Sequence, residues 1–317
     1  MTADRLAPRV GISACLMGEQ VRYNGGHQRD NFVMDVLAQH VELVPVCPEV
    51  EAGMGVPRPV VRVLRGETRN ALVESPSGVD HTALMDSTLE SISDRLSRLD
   101  LDGFLLKRGS PTCGISGVKV YAGVERKAQV VARDAGFLTH RLRNDFPALA
   151  RAEEGWLKDA MLRQQFLHRI FTSRRLKALR EDPSVAALQA EYASHKLLYM
   201  AHHPGAQRAL GRQVASLKGA LTQEQLADHL GQAQSVMGHR LTRGRHVNVL
   251  QHIMGYVSKR LSRVCRQHTM EAIRAYGNGQ TSLLAPLTLL KHQVLDKGAH
   301  PWLAGQVYLD PYPSSLW

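Results

Sequence analysis

"DGFLLKRGSPTCG", residues 102–114, decides how the first half of this chain folds. The apolar run Phe104-Leu105-Leu106 is short, as strands are, and stops at the cations Lys107 and Arg108. A Gly-Ser-Pro-Thr turn then presents Cys113 between small residues. Immediately upstream, "DHTALMDSTLESISDRLSRLD" (80–100) reads as an amphipathic helix with Leu84, Leu89, Ile92, Leu96 and Leu99 along one side. Helix, strand and cysteine-bearing turn therefore follow one another within about a βαβ repeat length, roughly 30 residues.

The same grammar recurs towards the N-terminus. "PRVGISAC" (8–15) is a short strand from Val10 to Ala14 that stops at Cys15, and "VELVPVC" (41–47) is a β-rich run that stops at Cys47. Between them "NFVMDVLAQH" (31–40) has helical spacing through Phe32, Val33, Val36 and Leu37. "PVVRVL" (59–64) is a further strand, and "AQVVARDAGF" (128–137) reads as a short helix with Gly136 near its end. Strands alternating with helices predict an α/β domain built on a mainly parallel sheet covered on both faces.

Beyond about residue 150 strand signals nearly vanish. "EEGWLKDAMLRQQFLHRIFTSRRLKAL" (153–179), "PSVAALQAEYASHKLLYMAHH" (183–203) and "TQEQLADHL" (222–230) carry helical spacing, the last opening on a capping box at Thr222. "NVLQHIMGYVSKRLSRVCRQHTMEAIRAYGNG" (248–279) reads as the longest helical pattern. An all-α domain is expected to follow the α/β domain, with the boundary in "HRLRNDFPALARA" (140–152), where Pro147 breaks the last element. The expected division is 1–148 and 149–317.

Charge separates the halves as sharply as texture does. Residues 1–150 carry 18 Lys+Arg and 18 Asp+Glu, whereas residues 151–317 carry 22 against 11, which places the whole +11 excess in the helical half. A basic half beside a neutral one suggests a polyanion, nucleic acid ahead of a membrane surface, or a helical domain that is merely basic. Arg240, Arg243, Arg245, Lys259, Arg260, Arg263 and Arg266 follow one another with no acid between them. On a continuous helix Lys259 and Arg263 share one face, a stripe suited to tracking phosphates. Tyr256, in the same stretch, reads as a core tyrosine, with stacking on an exposed base as the alternative. His202 and His203 precede Pro204 as at a helix end, not at zinc-ligand spacing.

No apolar stretch approaches the ~18 residues of a membrane helix. "MTADRLAPRV" lacks a secretory apolar region, so cytoplasmic residence is expected and the four cysteines are expected to be thiols. Loops at the carboxyl ends of parallel strands converge on one crevice, so Cys15, Cys47 and Cys113 can meet there although none has a cysteine nearby in sequence. Three such thiolates admit several readings: buried core residues, a zinc site short of a ligand, or a 4Fe-4S cluster with one iron open to a soft substrate atom. Glu49 lies two residues after Cys47, and Gly- and Pro-rich loops follow Cys15 and Cys47, as functional loops require. Cys265, in "SRVCRQH" (262–268), has no such setting and reads as core.

Three blocks, "SACLMGEQVRYNGG" (13–26), "VPVCPEVEAGMGVPRP" (44–59) and "KRGSPTCG" (107–114), resemble the signature blocks of the TudS-type thiouracil desulfidase family, over roughly residues 8–145. The resemblance implies a Rossmann-like domain holding a 4Fe-4S cluster through Cys15, Cys47 and Cys113, with Glu49 and Ser110 as catalytic groups. Hydrolytic, non-redox cleavage of a thiocarbonyl is the implied chemistry. Lys107 and Arg108 read equally as a solvent-facing strand end or as phosphate or substrate contacts at the crevice. "HKLLYMAHH" (195–203), "GYVSKRLS" (255–262), "AIRAYGNG" (272–279) and "QVYLDPYP" (306–313) resemble the YbgA-type domain. Proteins with this domain order resemble the RudS group, proposed to act on 4-thiouridine in tRNA. Thiolated tRNA is therefore the expected partner, with Arg240, Arg243, Arg245, Lys259, Arg260 and Arg263 as RNA contacts. Free thiouracil or a thiouridine nucleotide is the alternative substrate, and a non-catalytic RNA-binding or cluster-based sensor is the third reading.

Overall fold

The computed structural model describes residues 7–296 and 301–317 and divides the chain into two compact units, 1–166 and 167–317. In the first, β1 (Arg9–Ser13), α1 (Asn31–Asp35), β2 (Glu42–Val46), α2 (Pro48–Glu51), β3 (Val60–Leu64), β4 (Ala71–Ser75), α3 (Thr82–Leu99), β5 (Gly103–Leu106), β6 (Val118–Tyr121), β7 (Val130–Asp134), α4 (Phe137–Asp145) and β8 (Ala150–Glu153) follow in order. Four strands form an all-parallel sheet in the order β2-β1-β5-β8. β1 and β5 lie at its centre, and Val10, Ile12, Phe104, Leu105 and Leu106 are fully buried, as a sheet covered on both faces demands. α3 packs Met85, Leu89, Ile92 and Leu96 into this core. Leu84, expected on that side, is exposed, because Met85 takes the core position one residue on.

A second four-stranded sheet, ordered β4-β3-β6-β7, was not anticipated. It is mixed: β3 pairs antiparallel to β4 and parallel to β6, and β6 pairs antiparallel to β7. Here "AQVVARDAGF" forms strand β7, not the expected helix. β7 is an edge strand paired with β6 alone, so its Val130 and Val131 remain exposed and the apolar signal of a core strand is missing. Gly136 then precedes α4 as its N-cap instead of closing a helix.

The first unit runs past the expected boundary at 148. Ala150–Glu153 adds β8 in register with β5, burying Ala150, Ala152 and Glu153. The division falls within α5 (Ala160–Ala178).

The second unit is helical: α6 (Val185–His202), α7 (Pro204–Ser216), α8 (Gln223–Gly238), α9 (Arg243–Val257), α10 (Arg263–Gly277), α11 (Leu284–Asp296) and α12 (Pro301–Ala304). The capping box at Thr222 is present, with Gln225 reciprocating. His202 ends α6 and His203 caps α7 through its own side chain. The longest helical pattern is broken in two. A short 3-10 turn, Ser258–Arg260, closes α9, and Ser262 starts α10 by accepting from the Cys265 N–H. Lys259 and Arg263 therefore do not share one continuous helix face. Cys265 and Tyr256, both expected in the core, are exposed: Tyr256 lies off the face of α9 that buries Val249, Leu250, Ile253, Met254 and Val257. Among the described residues, no helix is long and apolar enough to cross a membrane.

Candidate active site

Cys15, Cys47 and Cys113 line a single cavity of about 430 Å3, together with Glu49, Ser110, Lys107 and Arg108. Cys15 lies in the 3-10 turn that follows β1, Cys47 caps α2 directly after β2, and Cys113 sits in the turn after β5. The three positions are the carboxyl ends of neighbouring parallel strands, where an α/β sheet opens its crevice.

The Cys113 turn is pinned from beneath by α4. Leu138 N–H donates to the Thr112 carbonyl at 2.8 Å, Gly136 N–H to the Gly114 carbonyl at 2.8 Å, and Thr139 Oγ1 to the Cys113 carbonyl at 2.7 Å. This approach requires glycine at 136, since a Cβ there would stand 2.4 Å from the Thr112 carbonyl oxygen. From the far edge of the sheet, buried Glu153 accepts the Ile115 N–H at 2.8 Å.

Burial sets the state of the thiols. It pushes Cys113 up to about 12, with Glu49 adding to the effect, and Cys15 up to about 11, with Cys47 adding to it. Cys47 is raised by burial as well. Three soft donors lining one cavity, each held towards its neutral form by burial, suit a positively charged, thiophilic centre. Among the described residues, no three His, Cys, Asp or Glu side chains close on a single metal ion. The thiols ring a cavity, and as a donor set they fit an iron–sulfur cluster, a group larger than one ion.

Glu49 is held at both carboxylate oxygens. Thr112 Oγ1 donates to Oε1 at 2.8 Å, and the buried Arg58 guanidinium pairs with Oε2. Ser110 Oγ accepts the N–H groups of Cys113 (3.1 Å) and Thr112 (3.3 Å) and lies 3.0 Å from Thr112 Oγ1. Because the Thr112 proton faces Glu49, the Ser110 proton faces Thr112, and the three side chains form a directed chain from Ser110 through Thr112 to Glu49. Sequence reasoning missed both Thr112 and Arg58. Thr112 adjoins Cys113 in "SPTC", a signal within reach, whereas the pairing of Arg58 with Glu49 appears only in the fold.

The cations at the cavity differ in their engagement. The Lys107 ammonium pairs with Glu154, and the same carboxylate accepts the Arg108 N–H at 2.8 Å. The Arg108 side chain is exposed. Arg22, Arg58, Arg62 and Lys119 also line the cavity, giving six cations there to the one carboxylate of Glu49. Arg22 lies over the Tyr23 ring and Arg62 over the Tyr121 ring, at 5.6 and 4.5 Å from the centroids.

In the helical unit, Arg240, Arg243, Lys259, Arg260 and Arg263 are exposed. Arg245 is engaged differently: its guanidinium donates to the carbonyls of His202 and of Arg240, the latter at 2.7 Å, tying the C-terminal end of α6 to the loop before α9.

An α/β domain gathers two buried cysteines, the half-buried Cys47 and a doubly held carboxylate at one cavity, and a basic helical domain follows it. Residues 10–154 match the family described as 2-thiouracil desulfurase, and residues 196–313 match a family described as a protein of unknown function (DUF1722). The uncharacterized protein YbgA of Escherichia coli (strain K12) is 31% identical over 154 residues, covering 46% of this chain and 88% of that protein. The uncharacterized protein YbbK of Bacillus subtilis (strain 168) is 28% identical over 109 residues, covering 32% of this chain and 71% of that protein. Among solved structures, a [4Fe-4S]-dependent thiouracil desulfidase, TudS, is 31% identical, with a TM-score of 0.40, over 50% of this chain and 97% of the other. The chain belongs to the YbgA family, and carries a 2-thiouracil desulfurase domain fused ahead of the helical one.

Proposed function

We propose that the protein is a hydrolytic desulfidase that removes sulfur from 4-thiouridine in tRNA, leaving uridine and sulfide. The observation that carries the choice of a phosphate-bearing substrate is the cavity's charge: beyond the Arg58–Glu49 and Lys107–Glu154 pairs, Arg22, Arg62, Arg108 and Lys119 also line it. A neutral free base offers such a rim hydrogen-bond acceptors alone, whereas a nucleotide within a polyanion offers phosphate charge as well. The +11 excess of the helical half supports the same reading.

Cys15, Cys47 and Cys113 would hold a 4Fe-4S cluster. Bound there with one iron open, such a cluster supplies a soft Lewis acid for a thiocarbonyl sulfur. The remaining chemistry falls to the chain. Glu49 takes a proton from the attacking water at its carboxylate, aimed by Thr112 and Arg58 at its two oxygens. Ser110 and Thr112 relay a proton between the cavity and Glu49 Oε1. The buried walls of Val46, Val61 and Val63 limit bulk water at the site. Water adds and sulfide leaves, so no external electron donor is needed.

The test is anaerobic reconstitution followed by incubation with thiolated tRNA and, separately, with free thiouracil, watching the thiocarbonyl absorbance. Loss from tRNA alone supports the proposal. Loss from the free base alone assigns the second reading, and no loss from either with full iron content favours a sensor. Cys113→Ser is expected to lose iron, and full retention of iron and spectrum would reject the tripod. Glu49→Ala is expected to keep iron and lose turnover.

A further inference from the structure

The helical unit carries an aromatic cluster that its core does not use. Tyr256 is 47% exposed, and His252 lies one turn before it on the same face of α9, also exposed. Their rings meet edge to face at 5.4 Å and 77°. The Trp302 ring, from α12, lies 5.4 Å from Tyr256 at a tilt of 50°, so neither face covers the other. Trp302 is held in place by its Nε1–H, which donates to the Ala193 carbonyl of α6 at 3.0 Å. From the same helix, the Lys196 ammonium stands 5.7 Å from the indole centroid. Lys196 is also close enough to His252 to help hold that imidazole below its ordinary range, after burial.

Burial does not account for this arrangement, because α9 fills the core through His246, Val249, Leu250, Ile253, Met254 and Val257. An exposed tyrosine beside an anchored indole presents planar faces, and the cations Lys196, Lys259 and Arg260 lie around or next to it in the chain. Residues 240–268 contain no Asp or Glu. Planar faces among cations match a planar group carried on a polyanion.

We propose that Tyr256, Trp302 and His252 form a stacking platform for an unpaired nucleobase of RNA, with Lys196 and the 258–260 turn meeting the flanking phosphates. This rests on the reading of the protein as an RNA-directed enzyme and adds to it that the helical unit recognises an unstacked base, not only duplex phosphates. Every base has a π-face, so such a platform is tolerant of sequence; a duplex hides those faces.

The test measures full-length protein binding to a short single-stranded RNA and to a blunt duplex of equal phosphate count, by fluorescence anisotropy over a salt series. Tyr256→Ala is expected to weaken single-strand binding roughly tenfold. It should leave duplex binding and the salt slope unchanged, since stacking releases no counterions. Tyr256→Phe should bind as the wild type does. Equal single-strand binding by wild type and Tyr256→Ala overturns the platform and leaves the RNA reading standing, as does an equal loss on both RNAs. Failure of the wild type to bind either RNA at low salt overturns the RNA reading itself.

Discussion

Thr112 Oγ1 donates to Glu49 Oε1 at 2.8 Å, linking the turn after β5 to the first turn of α2 across 63 residues of sequence. The same hydroxyl lies 3.0 Å from Ser110 Oγ and 3.6 Å from the Cys113 sulfur, so one side chain touches the carboxylate, the serine and the thiol. Thr112→Val keeps the shape and deletes the donor. It is expected to lower kcat by roughly tenfold to a hundredfold through misplacement of Glu49. KM should be almost unchanged, and Thr112→Ser should restore most of the rate. Single-turnover decay of the thiocarbonyl absorbance, at matched iron content, checks this.

Arg58 supplies the second hold on Glu49, and its side chain is only 2% exposed, against 14% for Glu49. Removing one partner leaves a buried charge uncompensated, so Arg58→Leu is expected to cost roughly 3 kcal/mol. The double variant Arg58→Leu/Glu49→Gln should recover part of that loss, because the orphaned charge goes with its partner. Denaturant midpoints of the two variants and the wild type measure the difference. Recovery of stability without recovery of turnover would separate the pair's structural role from its chemical one.

How much of this was readable in advance depended on whether a residue's role was local. β1 and β2 are short apolar runs ending at or near cysteines and β5 leads into a turn that carries one, so the crevice could be placed from the sequence, together with Cys15, Cys47, Cys113, Glu49 and Ser110 around it. β7 was misread because an edge strand has little apolar demand, leaving two valines that fit a helix equally well. The break between α9 and α10 rests on the Ser258–Arg260 turn and the cap Ser262, inside a basic run whose Lys, Arg and Leu residues favour helix continuation. Thr112, Arg58 and the pairing of Lys107 with Glu154 depend on contacts made across distant segments, which no spacing encodes.

The basic residues of the helical unit should separate into two kinds. Arg245 is occupied with the carbonyls of His202 and Arg240, so Arg245→Met is expected to lower stability by roughly 1–3 kcal/mol through carbonyls left without donors. Its effect on the salt slope of RNA binding should be small. Lys259→Glu with Arg263→Glu should do the opposite: little change in stability, weaker tRNA binding and a shallower salt slope, since exposed cations act through counterion release. Thermal melts alongside binding isotherms at several salt concentrations distinguish the two patterns.

Acid should destabilise the helical unit through its buried histidines. The His202 Nδ1–H donates to the His239 carbonyl at 3.0 Å, which leaves Nε2 as the acceptor for the His168 Nδ1–H at 3.2 Å. A proton on His202 Nε2 would set two N–H groups against each other. Burial holds His202 down to about 3 and His246 to about 4, and lowers His168 well below its ordinary 6.5 by the same cause, with His202 adding to it. The folded rings are thus neutral where the unfolded ones begin to charge. The unfolded chain binds more protons below pH 6.5, so their contribution to stability is complete above that value and falls as the pH drops towards 4. Each ring contributes a slope of roughly 1 kcal/mol per pH unit within that window. Urea midpoints followed by far-UV circular dichroism are expected to decline steeply from neutral pH to about pH 5, and His202→Gln should flatten the decline. A midpoint independent of pH across that window would reject the neutral chain.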